Sequence, residues 1–443
     1  MNFNISGKQS QPFSSWHRYT PLIIVLVTFL CISNINLRKG YKDGSMEADG
    51  KGYYAYLPAI FIYHDLSFGF FDTIENKVYE NPNLKYNYLR TYNGDTINKY
   101  FSGTAVCMLP FFLLGHLTTL LACTIADGYS YYYMLWIHIG ALFYLFVGLF
   151  ALQQLLRTYE IEEKWISLTM AAAVFGTNLF YYTLTEYSMS HLYSFTMITA
   201  FLLMARRYFK QNLPVSLFLS FIFLGITCLI RPVNCIILLT VPFIAGDYQI
   251  LKQGIVSLKD HWYWFLGGML ISLIILSIQP LIYYLQTGSF LVYSYPGEGF
   301  NFKDPHISDV LFSYRKGLFI YTPLTLLSLA GLILLWKDNK YGFTMSAIFL
   351  LAFTYMVSSW HMWFYGGSFS QRVFIDILAL FSILLAMSLQ KLPKGWIRKC
   401  YISLVVVLIL FCQFQTYQYR HMVIHWSDMT KERYWNNFFK LNP

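Results

Sequence analysis

The chain has 443 residues, a length that would suit about three soluble domains. Hydrophobic residues make up 56% of it, and Asp, Glu, Lys and Arg together only 12%, which is too little charge to cover a water-exposed surface of that size. The net charge of +10 comes from short basic clusters between apolar runs, not from the continuous basic patch of a nucleic-acid binder. We therefore expect a multi-pass membrane protein that lies in a lipid bilayer and has no nucleic-acid partner.

In chain order, apolar runs long enough to cross a bilayer follow one another closely. A hydrocarbon core of about 30 Å needs about 20 helical residues, and each span must satisfy its own backbone hydrogen bonds. A run at 103–125 is predicted to form a juxtamembrane or re-entrant hairpin that does not cross. The sequence otherwise predicts an all-α transmembrane bundle of about eleven spans, at 19–37, 130–156, 165–184, 189–206, 214–231, 233–250, 264–286, 317–336, 342–359, 373–390 and 400–417.

Lysine and arginine placement indicates the orientation. With a cytoplasmic N-terminus, thirteen basic residues fall in the cytoplasmic loops and five in the short loops opposite, as the positive-inside rule requires. A crossing at 103–125 would reverse this bias. We therefore expect a bacterial inner-membrane protein with a cytoplasmic N-terminus at 1–18, a transmembrane domain at 19–417 and a periplasmic tail at 418–443.

The first periplasmic loop with its juxtamembrane segments is predicted to cover 38–129. Within it, the aromatic stretch 52–63 is too short to span and is predicted to lie on the membrane surface. Glu47 and Asp49 directly precede this stretch, where a carboxylate would face a lipid head group, although Asp49-Gly50 is also a common turn. Lys99 and Tyr100 stand before the run at 103–125, and the lysine is either a substrate contact or an interfacial anchor.

Polar residues also stand at the periplasmic ends of later spans. Glu186, Ser190 and His191 form a cluster before one span, and both a structural and a functional role remain open for the histidine. Arg231 interrupts a long apolar stretch. An unpaired arginine at depth costs about 2.5–3.5 kcal/mol, so it is expected to meet a carboxylate, a substrate anion or a water-filled cavity.

The remaining candidates lie in the last two periplasmic loops. Arg315 precedes one span and Arg372 another, and Asp376 is expected to pair with Arg372 on the same helix. The aromatic loop that contains Trp360, His361 and Tyr365 is either a platform for a sugar or a lipid phosphate, or part of the interfacial aromatic belt.

Absent motifs narrow the chemistry. The sequence has no phosphate-binding glycine loop, no HExxH, no GxSxG and no dinucleotide fingerprint. A sugar carried on a lipid phosphate has a good leaving group, so its transfer needs cations to stabilise the phosphate and one base to take the acceptor's proton. One interfacial carboxylate with several cations on the same membrane face matches that requirement.

At this point the sequence resembles the polytopic GT-C glycosyltransferases that use lipid-linked sugars, such as the protein O-mannosyltransferases and the aminoarabinose transferases. The resemblance covers about residues 15–420 and depends on the order of several short motifs. They are Asp49 before Tyr53-Tyr54-Ala55-Tyr56, Asn98-Lys99-Tyr100-Phe101-Ser102-Gly103, Ser188-Met189-Ser190-His191, Arg231-Pro232-Val233-Asn234, Arg315-Lys316-Gly317-Leu318 with Thr322-Pro323, and Tyr365-Gly366-Gly367-Ser368-Phe369-Ser370-Gln371-Arg372.

The resemblance implies a catalytic base on the first periplasmic loop, Asp49 or, in reserve, Glu47. It also implies a polyprenyl-phosphate sugar as donor, inversion at the anomeric carbon, and a phosphate site made by Lys99, His191, Arg231, Arg315 and Arg372. Family members often carry two adjacent acids here, whereas Gly50 follows Asp49 in this chain. We expect no metal and no cofactor; the acceptor stays open among protein, lipid and glycan.

Two other classes of protein compete with this interpretation. A transporter or lipid flippase would have repeated halves, broken helices and charges near the bilayer midplane. A non-catalytic assembly protein for cell-envelope glycans would use the acidic first loop as a docking surface.

Overall fold

The computed structural model describes residues 15–33, 46, 48–75 and 87–442. Glu47 lies outside these residues. Within them the chain is mostly helical, with one two-stranded antiparallel sheet.

The first half of the chain contains α1 (Thr20–Ile32), α2 (Asp49–Phe61), β1 (Leu89–Tyr92), β2 (Asp95–Asn98), α3 (Gly103–Leu121), α4 (Tyr131–Arg157), α5 (Glu163–Phe175), α6 (Leu179–Leu184), α7 (Ser190–Gln211) and α8 (Pro214–Ile230). The second half contains α9 (Val241–Ala245), α10 (Tyr248–Val256), α11 (Trp262–Thr287), α12 (Ile307–Phe312), α13 (Leu318–Tyr321), α14 (Pro323–Ser328), α15 (Ala330–Asp338), α16 (Lys340–Ser358), α17 (Leu378–Lys391), α18 (Trp396–Arg420) and α19 (Lys431–Asn436). Tighter 3-10 segments cover Ser15–Tyr19, Pro232–Thr240 and Arg372–Ile375, and a short π-helical turn covers Phe71–Glu75.

Long apolar helices make this an integral multi-pass membrane protein. In the described part of the chain, α3, α4, α11, α16 and α18 are each long and apolar enough to cross a bilayer, and the bent segment 232–256 would be a sixth candidate. Shorter apolar helices end at Ile32, Ile230 and Lys391. These lengths do not show the predicted count of about eleven spans, because several predicted runs are divided into short helices.

Proline and glycine coincide with these divisions. The predicted span 317–336 is divided into α13, α14 and α15, and Pro323 opens the second of these, a position where the missing N–H costs nothing. The predicted span 233–250 begins as a 3-10 helix at Pro232, and the chain bends by 112° before α10. The predicted span 165–184 is interrupted at Gly176 between α5 and α6.

The hairpin expected at 103–125 is wrong. The segment forms one unbroken 19-residue helix, α3, which runs antiparallel to the first half of α4. The Tyr144 hydroxyl donates to the carbonyl of Cys107 at 2.8 Å, and His116 Nδ1 lies 2.6 Å from the Tyr133 hydroxyl. Together α3 and α4 therefore make a helical pair beside α2.

The purely helical prediction also misses a small sheet. Strands β1 and β2 pair in register around Asn93-Gly94, whose φ angles of 50° and 97° are both in the left-handed region. Asn-Gly is the preferred dipeptide for such a two-residue hairpin turn. The second strand leads directly into Lys99, so the hairpin determines where that side chain lies.

The aromatic stretch predicted to lie on the membrane surface is instead largely enclosed. Residues 50–59 of α2 are all buried. The Tyr56 hydroxyl donates to the carbonyl of Tyr100 at 2.6 Å, and the Asn98 amide donates to the carbonyl of Gly52 at 2.7 Å. These contacts hold the first residue of α2, Asp49, against the end of the helical bundle.

Candidate functional site

A cavity of about 430 Å³ lies where α2, the segment after β2 and the ends of several long helices meet. Its walls combine charged, aromatic and aliphatic side chains from distant parts of the chain. The charged lining residues and His191, Asn234 and Ser294 form its polar part; the charged ones are Asp49, Lys99, Arg231, Glu298 and Arg372.

The backbone around Arg231 places its side chain at this cavity. The residue is extended, with φ −150° and ψ 110°, as expected for a residue that precedes proline. Gly103 makes room for this junction, because a Cβ there would lie 2.2 Å from the backbone nitrogen of Ile230. The absence of a side chain at Gly103 thus lets α3 begin directly against the end of α8.

Asp49 is bound through both of its carboxylate oxygens. Oδ1 accepts a hydrogen bond from the Tyr100 hydroxyl at 2.7 Å, and Oδ2 lies 2.5 Å from Nη2 of Arg372. Burial raises the pKa of the Asp49 carboxyl, but Arg372, the hydrogen bond from Tyr100 and nearby Lys99 outweigh it, so that the pKa lies below its ordinary value. Asp49 is therefore an ionised, firmly held carboxylate.

Lys99 pairs with a carboxylate from a later loop. Its Nζ lies 2.5 Å from Oε1 of Glu298 and 5.1 Å from the centre of the Tyr295 ring. Arg90 of β1 also approaches Glu298, at 4.0 Å. The loop between α11 and α12 is thus fastened to the β-hairpin across one side of the cavity.

A third charged group centres on Asp376, which is only 1% exposed. Its Oδ1 lies 2.8 Å from Nδ1 of His191, and its Oδ2 accepts hydrogen bonds from Nη1 of Arg231 at 3.0 Å and Nδ2 of Asn234 at 3.1 Å. The expected pairing of Asp376 with Arg372 is wrong, because the start of this span is a 3-10 helix rather than an α-helix. Arg372 forms its ion pair with Asp49 instead.

Two uncharged walls complete the cavity. One is aromatic and includes Phe101, Tyr295, Phe300 and Trp360, with the rings of Phe300 and Trp360 4.9 Å apart. The other is mainly aliphatic and comes from the 3-10 segment Pro232–Thr240 and from α16, with Val233, Met356 and Val357. A ligand here would meet charge on one side and apolar surface on the others.

The structure brings most of the sequence-predicted candidates together. Those that line the cavity are Asp49, Lys99, Tyr100, His191, Arg231, Trp360, Tyr365 and Arg372. Glu186, Arg315 and His361 are not part of the lining. Glu186 accepts a hydrogen bond from the Tyr181 hydroxyl at 3.0 Å, and His361 is exposed.

Arg315 belongs to the attachment of the C-terminal segment. Its Nη2 lies 2.8 Å from Oδ1 of Asp428, and its guanidinium stacks on Phe364 at 3.4 Å. The neighbouring Lys316 is 1% exposed and donates to the carbonyls of Ser368 and Trp426. Burial lowers the pKa of the Lys316 ammonium to about 7.

Sequence reasoning missed Glu298 and Asn234 and gave Asp376 the wrong partner. Asn234 follows Arg231-Pro232 by two residues, and a polar amide inside an apolar run was a usable signal. Glu298 stands between two glycines in a loop with several other polar residues, and nothing in the local pattern distinguishes it.

The donor set does not suggest a metal centre. Among the described residues, no group of three or more His, Cys, Asp or Glu side chains is placed to hold a metal ion. The charged groups at the cavity are instead arranged as carboxylates paired with cations.

No protein-family model and no curated protein matches the chain. Solved structures that it resembles include two of an oligosaccharyltransferase from the archaeon Archaeoglobus fulgidus. AglB in complex with an inhibitory peptide and a dolichol-phosphate matches with a TM-score of 0.46 and 10% identity, over 96% of this chain and 58% of that chain. The apo form matches with a TM-score of 0.48 and 11% identity, over 96% and 60%. This chain therefore spans less than two thirds of either.

Proposed function

We propose that this protein is an integral membrane glycosyltransferase that moves a sugar from a polyprenyl-phosphate donor to an acceptor at the periplasmic face. The observation that carries the proposal is the convergence of Lys99, Arg231 and Arg372 on one cavity that also has aromatic and aliphatic walls. A lipid phosphate, a sugar ring and a prenyl chain need these three kinds of surface.

The charge arrangement suits a phosphate that binds as part of the donor and is released as the leaving group. Each cation is paired with one carboxylate, in the pairs Lys99–Glu298, Arg372–Asp49 and Arg231–Asp376. An anionic donor can share these cations without leaving a buried charge unpaired before it binds. As the bond to the sugar breaks, negative charge grows on the phosphate, and the same cations stabilise it.

Helix directions support the predicted threading. His17 contacts Ser167 at 2.8 Å, and Arg206 donates to Thr158 at 3.1 Å, so these residues share the end of the bundle away from the cavity. The basic loop residues that the positive-inside rule assigns to the cytoplasm adjoin that end. The cavity would then open toward the periplasm, with about eleven crossings and with α3 as a juxtamembrane helix.

Three groups in the cavity lining can accept the acceptor's proton, Asp49, Glu298 and His191. Direct displacement of the phosphate by the acceptor would invert the anomeric centre with any of these bases. The resemblance to the GT-C glycosyltransferases favours Asp49 as the base.

A transfer assay tests the function. Purified protein in proteoliposomes is expected to move labelled sugar from a polyprenyl-phosphate donor to a co-reconstituted envelope extract that offers protein, lipid and glycan acceptors. Arg372→Gln is expected to abolish transfer, whereas Arg315→Gln, which alters an arginine outside the cavity, is expected to retain most of it. No transfer and no donor binding by the wild type would contradict the proposal.

A lipid or solute transporter is the second candidate, because three predicted spans are divided, one with a bend of 112°. Its distinguishing result is movement of the intact donor across the proteoliposome membrane with the sugar–phosphate bond unbroken.

A further inference from the structure

We infer that His191, oriented by Asp376, is the base that takes the proton from the acceptor hydroxyl, and that Asp49 serves to position Arg372. This assignment rests on the proposed glycosyl transfer and identifies how that reaction would use the cavity.

The hydrogen bond between His191 and Asp376 determines which ring nitrogen can act. Nδ1 lies 2.8 Å from a carboxylate oxygen of Asp376 and 3.4 Å from Nη1 of Arg231. A carboxylate only accepts and is the nearer of the two, so we assign the proton of the neutral imidazole to Nδ1. Nε2 then carries the lone pair. The contacts of His191 with Asp376 and Arg231 both use Nδ1. His191 lines the cavity whereas Asp376 does not, so we assign the ring edge with Nε2 to the cavity side.

Asp49 is less suited to the role. Both of its oxygens already bind, one to the Tyr100 hydroxyl and one to Arg372, and an incoming hydroxyl would have to displace one of them. Its contact with Arg372 is what a positioning residue would make, since that arginine otherwise stands at the cavity without a carboxylate.

Asp376 can respond to the donor. Its second oxygen accepts hydrogen bonds from Arg231 and Asn234. When the donor phosphate draws Arg231 away, Asp376 loses part of its compensating charge and stabilises an imidazolium at His191 more strongly. The other charged group near this imidazole is Arg372, and the Tyr182 ring packs edge-on at 5.9 Å. Donor binding would thus increase the proton affinity of His191 at the stage when the acceptor hydroxyl loses its proton.

The step balances without a further reactant. The acceptor oxygen forms a bond to the anomeric carbon while the bond from that carbon to the phosphate oxygen breaks. The electron pair of the broken bond leaves with the phosphate, and the acceptor's proton passes to His191 Nε2. Asp376 remains ionised throughout, as the carboxylate does in other carboxylate–histidine pairs.

The decisive experiment compares His191→Ala with Asp49→Ala in the proteoliposome transfer assay, with and without added imidazole. A positioned base contributes about 10²–10⁴-fold, so kcat of His191→Ala is expected to fall at least about 100-fold, with a small change in KM for the donor. Imidazole is expected to restore part of kcat in His191→Ala and none in Asp49→Ala. Asp376→Asn, a change in a positioning residue, is expected to lower kcat and also to raise KM, because Arg231 loses its partner.

The two failures are distinguishable. A wild-type protein that breaks no sugar–phosphate bond overturns the proposed function and this assignment together. A wild-type protein that transfers sugar, combined with a folded His191→Ala variant that keeps its kcat or gains nothing from imidazole, overturns only the assignment. Thermal unfolding and retention of donor binding establish that the variant is folded.

Discussion

Asp49 and Arg372 are 323 positions apart in the chain, and their side chains pair at 2.5 Å. One stands at the first residue of α2, the other at the start of the 3-10 segment that leads into α17. The pair joins the predicted first periplasmic loop to the last predicted one. It therefore fixes the cavity between two segments that are far apart in the chain.

Breaking the Asp49–Arg372 pair on one side is expected to destabilise the fold. Asp49→Asn leaves a mostly buried guanidinium without its carboxylate, which costs about 3 kcal/mol for a buried pair. The double variant Asp49→Asn with Arg372→Gln is expected to recover part of that loss, as measured by unfolding in detergent. Because the folded pKa of Asp49 lies below the ordinary value of 3.8, the pair's stabilisation is present above that value. It is lost as the pH falls through the lower folded pKa.

Asp338→Asn is the matched control for that experiment. Asp338 pairs with Lys391, and both side chains are exposed, so the change is expected to cost less than about 1 kcal/mol. Additive effects of the two substitutions at Asp49 and Arg372 would show that the pair carries no coupling energy.

Removing the negative charge of Glu298 is expected to tighten donor binding. Lys99 would lose its competing carboxylate and become fully available to the donor phosphate, so KM for the donor is expected to fall about tenfold, equivalent to about 1.4 kcal/mol. Steady-state transfer kinetics of Glu298→Gln give the measurement. Asp309→Asn alters an exposed carboxylate of α12, the helix that follows this loop, and is expected to leave KM unchanged. An increase in KM for Glu298→Gln would mean that Glu298 helps to bind the donor.

Lys316 is expected to make stability depend on pH above neutrality. Its folded pKa is about 7 because of burial, whereas an unfolded lysine titrates near 10.4. Between these values the unfolded chain binds the additional proton, so stability rises with pH, by up to about 1.4 kcal/mol per pH unit. Comparing thermal unfolding of the wild type and Lys316→Met between pH 7 and 10 measures this: the wild type is expected to gain more, and parallel curves would show that Lys316 does not titrate in this range.

The threading predicts which side of the membrane each loop faces. Cysteines introduced singly at Lys303 and at Lys259, both exposed, are expected to react with an impermeant maleimide from opposite sides, Lys303→Cys from the periplasm and Lys259→Cys only after permeabilisation. The exposed native Cys123, Cys235 and Cys400 are replaced first to remove background. Labelling of both positions from the same side would overturn the threading.

The broad class of this protein follows from its composition alone. Low charge and repeated apolar runs indicate a membrane helix bundle. Backbone groups in lipid must be satisfied within helices or closed barrels, and runs of about 20 residues suit spanning helices and not barrel strands. Several candidate residues were also visible locally: Asp49, Lys99 and Arg231 each stand out as charges beside apolar segments. The local sequence did not predict the short sheet, because Asn93-Gly94 is a turn signal that also occurs in loops.

Only the tertiary structure determined which charged residues form ion pairs with one another. The sequence suggested that Arg372 pairs with Asp376 four residues later, but the 3-10 geometry of that turn frees both for partners on other segments. Glu298 acquires importance only because its loop folds back onto the β-hairpin that holds Lys99. Neighbouring residues determine whether a segment is helical and apolar. An ion pair instead depends on where two remote segments meet, and packing of the whole bundle determines that position.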